Sequence, residues 1–308
     1  MIEFYLKTIK DQKLQKTNEF KEGCWINVES PEQQEIENIS KDFKIDMDWL
    51  NSSLDIDEKS RIEEDNGNVL IITRIPFKDE DDEITTMPLG IIVTKSFIMT
   101  VSSLPNQIVE DIKMEKFKVA TTQRIRFVLK IFERINRNYD KYLGFLRKKS
   151  ETIESQVGIS LTNNEIYQLL QIQKTLIYFS SAIVANEIVF EKISSGKVFK
   201  MYEEDKDIID DIVLSNREIY EGIKIMRDVL SNTLDAYASI VSNNLNIVMK
   251  FLTSVSIILS FSVLITSFYG MNVALPFQNH PFAFFYILIA SVASFIFLYM
   301  FFKKKNWL

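Results

Sequence analysis

FLTSVSIILSFSVLITSFYGMN, residues Phe251 to Asn272, decides how this chain is read. It contains no Asp, Glu, Lys or Arg, and neither does the sequence that follows it as far as Phe302. Phe251 to Phe268 supplies about 18 uncharged residues and Phe282 to Phe302 about 21, each enough for a helix to cross a hydrocarbon layer. Lys250 precedes the first stretch and Lys303, Lys304 and Lys305 follow the second, while the connector from Val273 to Pro281 has no Lys or Arg. Basic residues stay on the cytoplasmic side, so this bias predicts a multi-pass protein of the cell inner (plasma) membrane with both termini in the cytoplasm. The competing reading, a hydrophobic hairpin inside a soluble core, needs a very large soluble surface to cover it.

On a helical wheel at 100° per residue, Asn246, Met249, Thr253, Ser256, Ser260 and Ser267 fall within about 80° of one another. A stripe of hydroxyls and amides on an apolar helix needs something polar to face, either a neighbouring helix or water. Ser254, Ser262 and Thr266 lie off this stripe. The second apolar stretch, with Phe, Ile, Leu and Tyr around its whole circumference, reads as lipid-facing. Two helices cannot enclose a path, so a pore requires several chains, each contributing its first span.

The chain of 308 residues is 46% hydrophobic, yet all 42 acidic residues precede Phe251. What precedes the spans is poor in the residues that most chemistry requires. The eight glycines never come closer than 14 residues to one another, which excludes a P-loop, a dinucleotide fingerprint and a nucleophile elbow. One histidine, His280, leaves no zincin helix and no His-based triad in the soluble part. One cysteine, Cys24, allows no intrachain disulfide. An enzyme would be left with carboxylates alone. The net charge of -6 argues against nucleic acid as a partner.

The amino-terminal MIEFYLKTIKDQK, Met1 to Lys13, lacks the cationic start and apolar core of a signal peptide, so the first 240 or so residues are expected to stay untranslocated. Residues 1–105 hold four of the six prolines and short β-like runs at Ile2 to Ile9, Trp25 to Val28, Val69 to Phe77 and Leu89 to Val101, with a helical patch at Pro31 to Lys41. This predicts an α/β domain with a mixed sheet. No proline follows Pro105 until Pro276, so long helices are expected. Ile125, Val128, Leu129 and Phe132, and later Ile209, Ile212, Val213 and Leu214, carry the helical period. Turns near Gly158 to Asn164 and Ser194 to Lys200 cut residues 106–202 into an antiparallel helical pair, which taken alone reads equally as an ordinary coiled coil. A third helix from near Glu203, continued to Tyr269, would span about 65 residues and roughly 100 Å. The predicted divisions are then 1–105, 106–202, a stalk at 203–250, spans at 251–269 and 282–302, an external loop at 270–281 and a basic tail at 303–308.

Tyr269-Gly270-Met271-Asn272 at the end of the first span, before a short loop and a second span closing on Lys303-Lys304-Lys305-Asn306-Trp307-Leu308, resembles the CorA-type divalent-cation transporters. Asp235 to Ser239, Val241 to Asn243, Asn246 and Val248 to Lys250 look like that family's approach to its pore. Arg61 to Glu63, Val69 to Ile72 and Pro88 to Ile91 look like its amino-terminal domain. The resemblance covers nearly the whole chain and implies a funnel-shaped homopentamer in the lipid bilayer. Its cytoplasmic α/β domains would feed long stalk helices into pore-lining first spans, with the second span peripheral. Gly270, Met271 and Asn272 would form the selectivity filter, Asn246, Met249 and Leu252 the cytoplasmic constriction, and Ser260 and Val263 deeper pore positions, alongside Thr253, Ser256 and Ser267 of the polar stripe. The sequence departs from the family where a mid-span proline is replaced by Phe261, where Ser260 and Val263 stand for a Met and a Thr, and where the connector carries no acid.

The same resemblance implies Mg2+ as transported ion and as regulatory ligand, with Co2+, Ni2+ or Zn2+ as further cations. A zinc-type branch shares the motif, and His280 is the candidate soft ligand for it. Closure by cytoplasmic magnesium would use Asp211, which shares a helical face with Asp207 and Asp210, and a partner from the acidic run Asp79-Glu80-Asp81-Asp82-Glu83, where Asp79, Asp81 and Asp82 are the candidates. Acidic runs are also ordinary solvated faces. No nucleotide site is needed, because a divalent cation moving inward gains about 4.6 kcal/mol per 100 mV. A membrane-anchored sensor or scaffold is the alternative to transport.

Overall fold

One mixed sheet of seven strands organises the amino-terminal part: β1 (Ile2–Leu6), β2 (Gln15–Thr17), β3 (Trp25–Glu29), β4 (Arg61–Asp65), β5 (Asn68–Lys78), β6 (Ile84–Val93) and β7 (Ile98–Ser102). The computed structural model describes the chain except residues 80–81, 117–118, 157–162 and 278, and the side chains of Gln156 and Asn163. The order is β2-β1-β3-β7-β6-β5-β4, antiparallel throughout except for β3 beside β7. That one parallel pair needs a crossover, which α1 (Gln33–Phe43) and α2 (Met47–Leu54) begin. They cover one face, where Ile36, Ile39, Trp49 and Leu50 join Ile26, Val28, Leu70, Ile72 and Met99 in a single cluster. The central strands are buried on both faces, which is why β5 reads as the continuous run Val69-Leu70-Ile71-Ile72 and not as an alternation.

Three helices follow α3 (Gln107–Lys113): α4 (Arg124–Gln156), α5 (Asn163–Ser194) and α6 (Glu203–Tyr269). The first two lie on the other face of the sheet, docked by polar contacts as well as apolar ones. β4 stops pairing at Ile72, so the backbone of Arg74 lies beyond its end. The buried Asn186 of α5 replaces the missing strand, accepting from the Arg74 N–H at 2.9 Å and donating to its carbonyl at 2.8 Å. Tyr139 of α4 donates its hydroxyl to the same carbonyl at 3.0 Å. Within Met1–Ser231, α6 buries Ile209, Ile212, Asn216, Ile219, Ile223, Met226 and Leu230, an alternating three-four spacing of coiled-coil type. Asn216 donates to the Ile183 carbonyl and Asn136 to the Ile212 carbonyl, which fixes the register of α4, α5 and α6. Arg126 binds Glu204 and Asp205, both at 2.8 Å, in the first turn of α6, where acids also suit the helix dipole.

The second unit, Asn232–Leu308, contains the rest of α6, a loop and α7 (Ala283–Lys304). Both helices are long and apolar enough to cross a membrane. The fold class matches the expectation of an α/β domain, a long helix and two span-length helices. One strand reading is corrected: Leu89 to Val101 is two strands, because Thr94 to Phe97 forms a hairpin turn in which the Thr94 N–H donates to the Phe97 carbonyl and the Thr94 hydroxyl accepts from the Phe97 N–H. The predicted turn at Gly158 to Asn164 falls largely outside the described residues.

Two measurements check this packing. A Cβ added at Gly90 on β6 would lie 2.1 Å from Ser53 Oγ and 2.4 Å from Ser53 Cβ of α2, so Gly90→Ala is expected to cost about 2 kcal/mol, read as a lowered Tm of the full chain in detergent. Burial alone would raise the carboxyl of Glu3, but bonds from Lys16 at 2.6 Å and Lys113 at 2.9 Å overcome it and hold the group at about 2. A carboxyl depressed by folding stabilises the native state above its unfolded value near 4.5, and that contribution is lost as the pH falls toward 2. The Tm difference between the native chain and Glu3→Gln should therefore shrink across this window.

Candidate functional site

α6 ends at the tripeptide singled out in the sequence. The Gly270 N–H donates to the Thr266 and Ser267 carbonyls, both at 3.1 Å, and the Met271 N–H to the Phe268 carbonyl at 3.4 Å. A Cβ added at Gly270 would meet nothing nearer than the Ser267 carbonyl oxygen at 3.4 Å, so the chain itself has room for a side chain there. Met271 and Asn272 are exposed. Beyond them the Tyr269 hydroxyl donates to the Pro276 carbonyl at 3.4 Å, and Phe277 adopts a left-handed φ of 59°. His280 sits at the start of α7, where its Nδ1 accepts from the Phe282 N–H at 3.3 Å and its ring lies 5.3 Å from that of Tyr286. That ring nitrogen is thus occupied by a backbone contact.

The hydroxyls of the apolar half of α6 divide into two sets. Ser254, Ser262 and Thr266 donate back to carbonyls one turn earlier, of Lys250, Ile258 and Ser262 respectively, at 2.7, 3.1 and 3.4 Å. Such back-bonding is how a hydroxyl satisfies itself inside an apolar environment. Thr253, Ser256, Ser260 and Ser267 are exposed and make no side-chain hydrogen bond among the described residues. These four belong to the stripe with Asn246 and Met249, and Leu252 and Val263 on its border are exposed as well. Ser254 and Ile258, by contrast, are buried, and farther along Ile265 and Tyr269 line a cavity together with Ala283, Tyr286, Ile287 and Ala290 of α7. The polar face of α6 is therefore not the one turned to α7.

The candidate regulatory acids fall in two places. Asp211 is exposed beside a cavity of about 320 Å3 bordered by Lys130, Glu133, Asn136 and Arg137 of α4. Asp207 is exposed one turn earlier, and Asp210 accepts from the Ser194 hydroxyl at 2.8 Å. Asp79 closes the β5–β6 turn by accepting from the Glu83 N–H at 2.8 Å, and Asp82 pairs with Lys78 at 2.7 Å. Both border a different cavity, of about 470 Å3, with Lys149, Lys174 and Tyr178. One chain does not bring Asp211 together with Asp79 or Asp82, and Asp81 lies outside the described residues. Among the described residues no group of three or more His, Cys, Asp or Glu is placed to hold a metal. The α4 residues beside Asp211 escaped the sequence reading because they lie more than seventy positions away in the chain, with no local signal.

An α/β domain, one helix of 67 residues and two span-length helices joined through Gly270-Met271-Asn272 define the class of two-span cation transporters. A family model described as "CorA-like Mg2+ transporter protein" matches residues 20–304, and the chain belongs to that family of divalent-cation transporters, whose members are channel-like transporters and not enzymes. The cobalt/magnesium transport protein CorA of Methanocaldococcus jannaschii is 28% identical over 290 residues, 92% of this chain and 91% of that protein. The protein of the same description from Thermotoga maritima is 21% identical over 92% of this chain and 83% of its own length. The complete structure of the M. jannaschii CorA magnesium transporter superposes with a TM-score of 0.87 at 25% identity, covering 100% of this chain and 99% of that one.

Proposed function

We propose that five copies of this chain assemble around the polar face of α6 into a channel-like importer of magnesium, with cobalt and nickel as further cargo, in the cell inner membrane with both termini cytoplasmic. The observation that carries this reading is the division of hydroxyls on α6. Those turned elsewhere are satisfied by their own helix, whereas Thr253, Ser256, Ser260 and Ser267 are left open to one side. In a ring that side faces water and hydrated ions. Gly270 points the same way, since its own chain does not demand a glycine, and crowding by neighbouring copies at a narrow filter would.

Magnesium gives up water reluctantly and demands octahedral oxygen geometry. A ring of Asn272 amide oxygens with the carbonyls of Gly270 and Met271 can hold the hydrated ion through its waters, and the absence of formal charge lets the ion leave. At the cytoplasmic end Asn246 would receive the ion, and Met249 and Leu252 would form a constriction that closes by dewetting. The inside-negative potential supplies about 4.6 kcal/mol per 100 mV for a divalent ion, so no other energy source is required. Closure by cytoplasmic magnesium would join Asp211 and Asp207 of one copy to Asp79, Asp81 and Asp82 of the next. Empty carboxylates repel and a bridging ion reverses this, which gives the two states different affinities.

In proteoliposomes with an imposed inside-negative potential and an internal magnesium dye, the chain is expected to admit Mg2+ and Asn272→Ala to lower the initial rate at least about tenfold, in line with loss of a filter that recognises hydrated ions. Equal rates would overturn the filter assignment, and no influx of Mg2+, Co2+ or Ni2+ would overturn transport. Because the native Cys24 is fully buried, introduced cysteines can be read individually. Ser256→Cys and Ser260→Cys are expected to react with a charged, water-soluble thiosulfonate at least about tenfold faster than Ser254→Cys, since a thiol reacts as its thiolate and needs water. Similar rates at all three positions would remove the polar face from the pore.

A further inference from the structure

We propose that Lys130 and Arg137 are tethered cations that guard the cavity beside Asp211, competing with magnesium there and raising the concentration at which the ion acts. This deepens the proposal that magnesium regulates the chain through Asp211, on which it rests, by naming what sets the threshold. The cavity, of about 320 Å3, lies between α4 and α6, wholly within the Met1–Ser231 unit. Its oxygens suit a hard cation. Asp211 is exposed and makes no ion pair among the described residues. Asn136 is only 2% exposed; its Nδ2 donates to the Ile212 carbonyl at 2.9 Å, and its buried Oδ1 has no hydrogen-bond partner among the described residues. Ser215 adds a hydroxyl. A buried amide oxygen without a donor is costly, and the waters that magnesium keeps are donors.

The remaining oxygen group, Glu133, is already taken. Its Oε2 accepts from Lys130 Nζ at 2.6 Å and its Oε1 from the Arg137 guanidinium, so positive charge binds both oxygens. The arrangement is a property of α4 itself, since Lys130 stands three positions before Glu133 and Arg137 four after it, on one helical face. Within the cavity these two cations balance the carboxylates of Glu133 and Asp211, which are therefore part-neutralised before any ion arrives. Magnesium meets no net negative charge there, and it reaches Glu133 only by displacing Lys130 or Arg137. The guard is soft. The side chains of Lys130 and Glu133 are each 28% exposed and that of Arg137 63%, and ion pairs this open to water are weak. They shift a threshold and do not block the site.

The test follows the Tm of the full chain in detergent against magnesium at constant ionic strength, because an ion that binds the native state raises Tm by mass action. Asp211→Asn identifies the part of the rise that belongs to this cavity. Lys130→Gln/Arg137→Gln is expected to reach the same Asp211-dependent rise at a magnesium concentration at least about tenfold below that of the native chain, since positive charges beside a divalent ion weaken its binding. Arg137→Gln alone should fall between the two, which keeps the test open if the double variant does not fold. Arg137→Lys keeps the charge and should stay within about twofold of the native chain, although it loses the planar fork. An equal magnesium requirement in the native chain and in Arg137→Gln would overturn the guard and leave regulation through Asp211 standing. An equal drop in Arg137→Gln and Arg137→Lys would make packing, not charge, the cause and also overturn the guard. A rise that Asp211→Asn does not reduce, or no rise at all, would overturn regulation through Asp211 and the guard with it.

Discussion

The backbone hydrogen bonding of α6 runs unbroken from Glu203 to Tyr269, and much of the molecule is arranged around that constraint. No proline interrupts it. The same helix changes the physical basis of its packing along its length. In the first unit it offers an apolar seam at three-four spacing, anchored by Arg126 at its start and by the amides of Asn136 and Asn216 in its interior. In the second unit the water-soluble logic disappears, and hydroxyls bond back to the helix or stand on the face away from α7.

The polar docking of the sheet follows a related economy of backbone groups. Where β4 ends, the N–H and carbonyl of Arg74 would be stranded under two helices, and buried groups without partners are costly. Asn186 and Tyr139 supply the missing bonds, and the Arg74 guanidinium reaches the carbonyls of Ile56, Glu58 and Thr86 on the way. A single strand residue thereby ties α4, α5 and the β4 approach together.

Several features are unfinished within one chain. Among the described residues the stripe hydroxyls make no side-chain hydrogen bond, Gly270 has room for a side chain, and the acids proposed for regulation border two separate cavities. Each makes sense at a boundary between copies.

The amino-acid sequence determined the two spans, the long helices and the signature tripeptide, because hydropathy, the absence of proline and helical period are local properties that survive without tertiary context. It did not determine the parallel pairing of β3 with β7, the hairpin that splits Leu89 to Val101, or the α4 residues beside Asp211, since each depends on partners far away in the chain. The polar stripe was legible on a wheel. Only the tertiary structure shows, among the described residues, that Ser254, Ser262 and Thr266 bond back to their own helix whereas Thr253, Ser256, Ser260 and Ser267 lie on the face turned away from α7, because hydrogen-bond partners and helix contacts are set by packing and not by helical period.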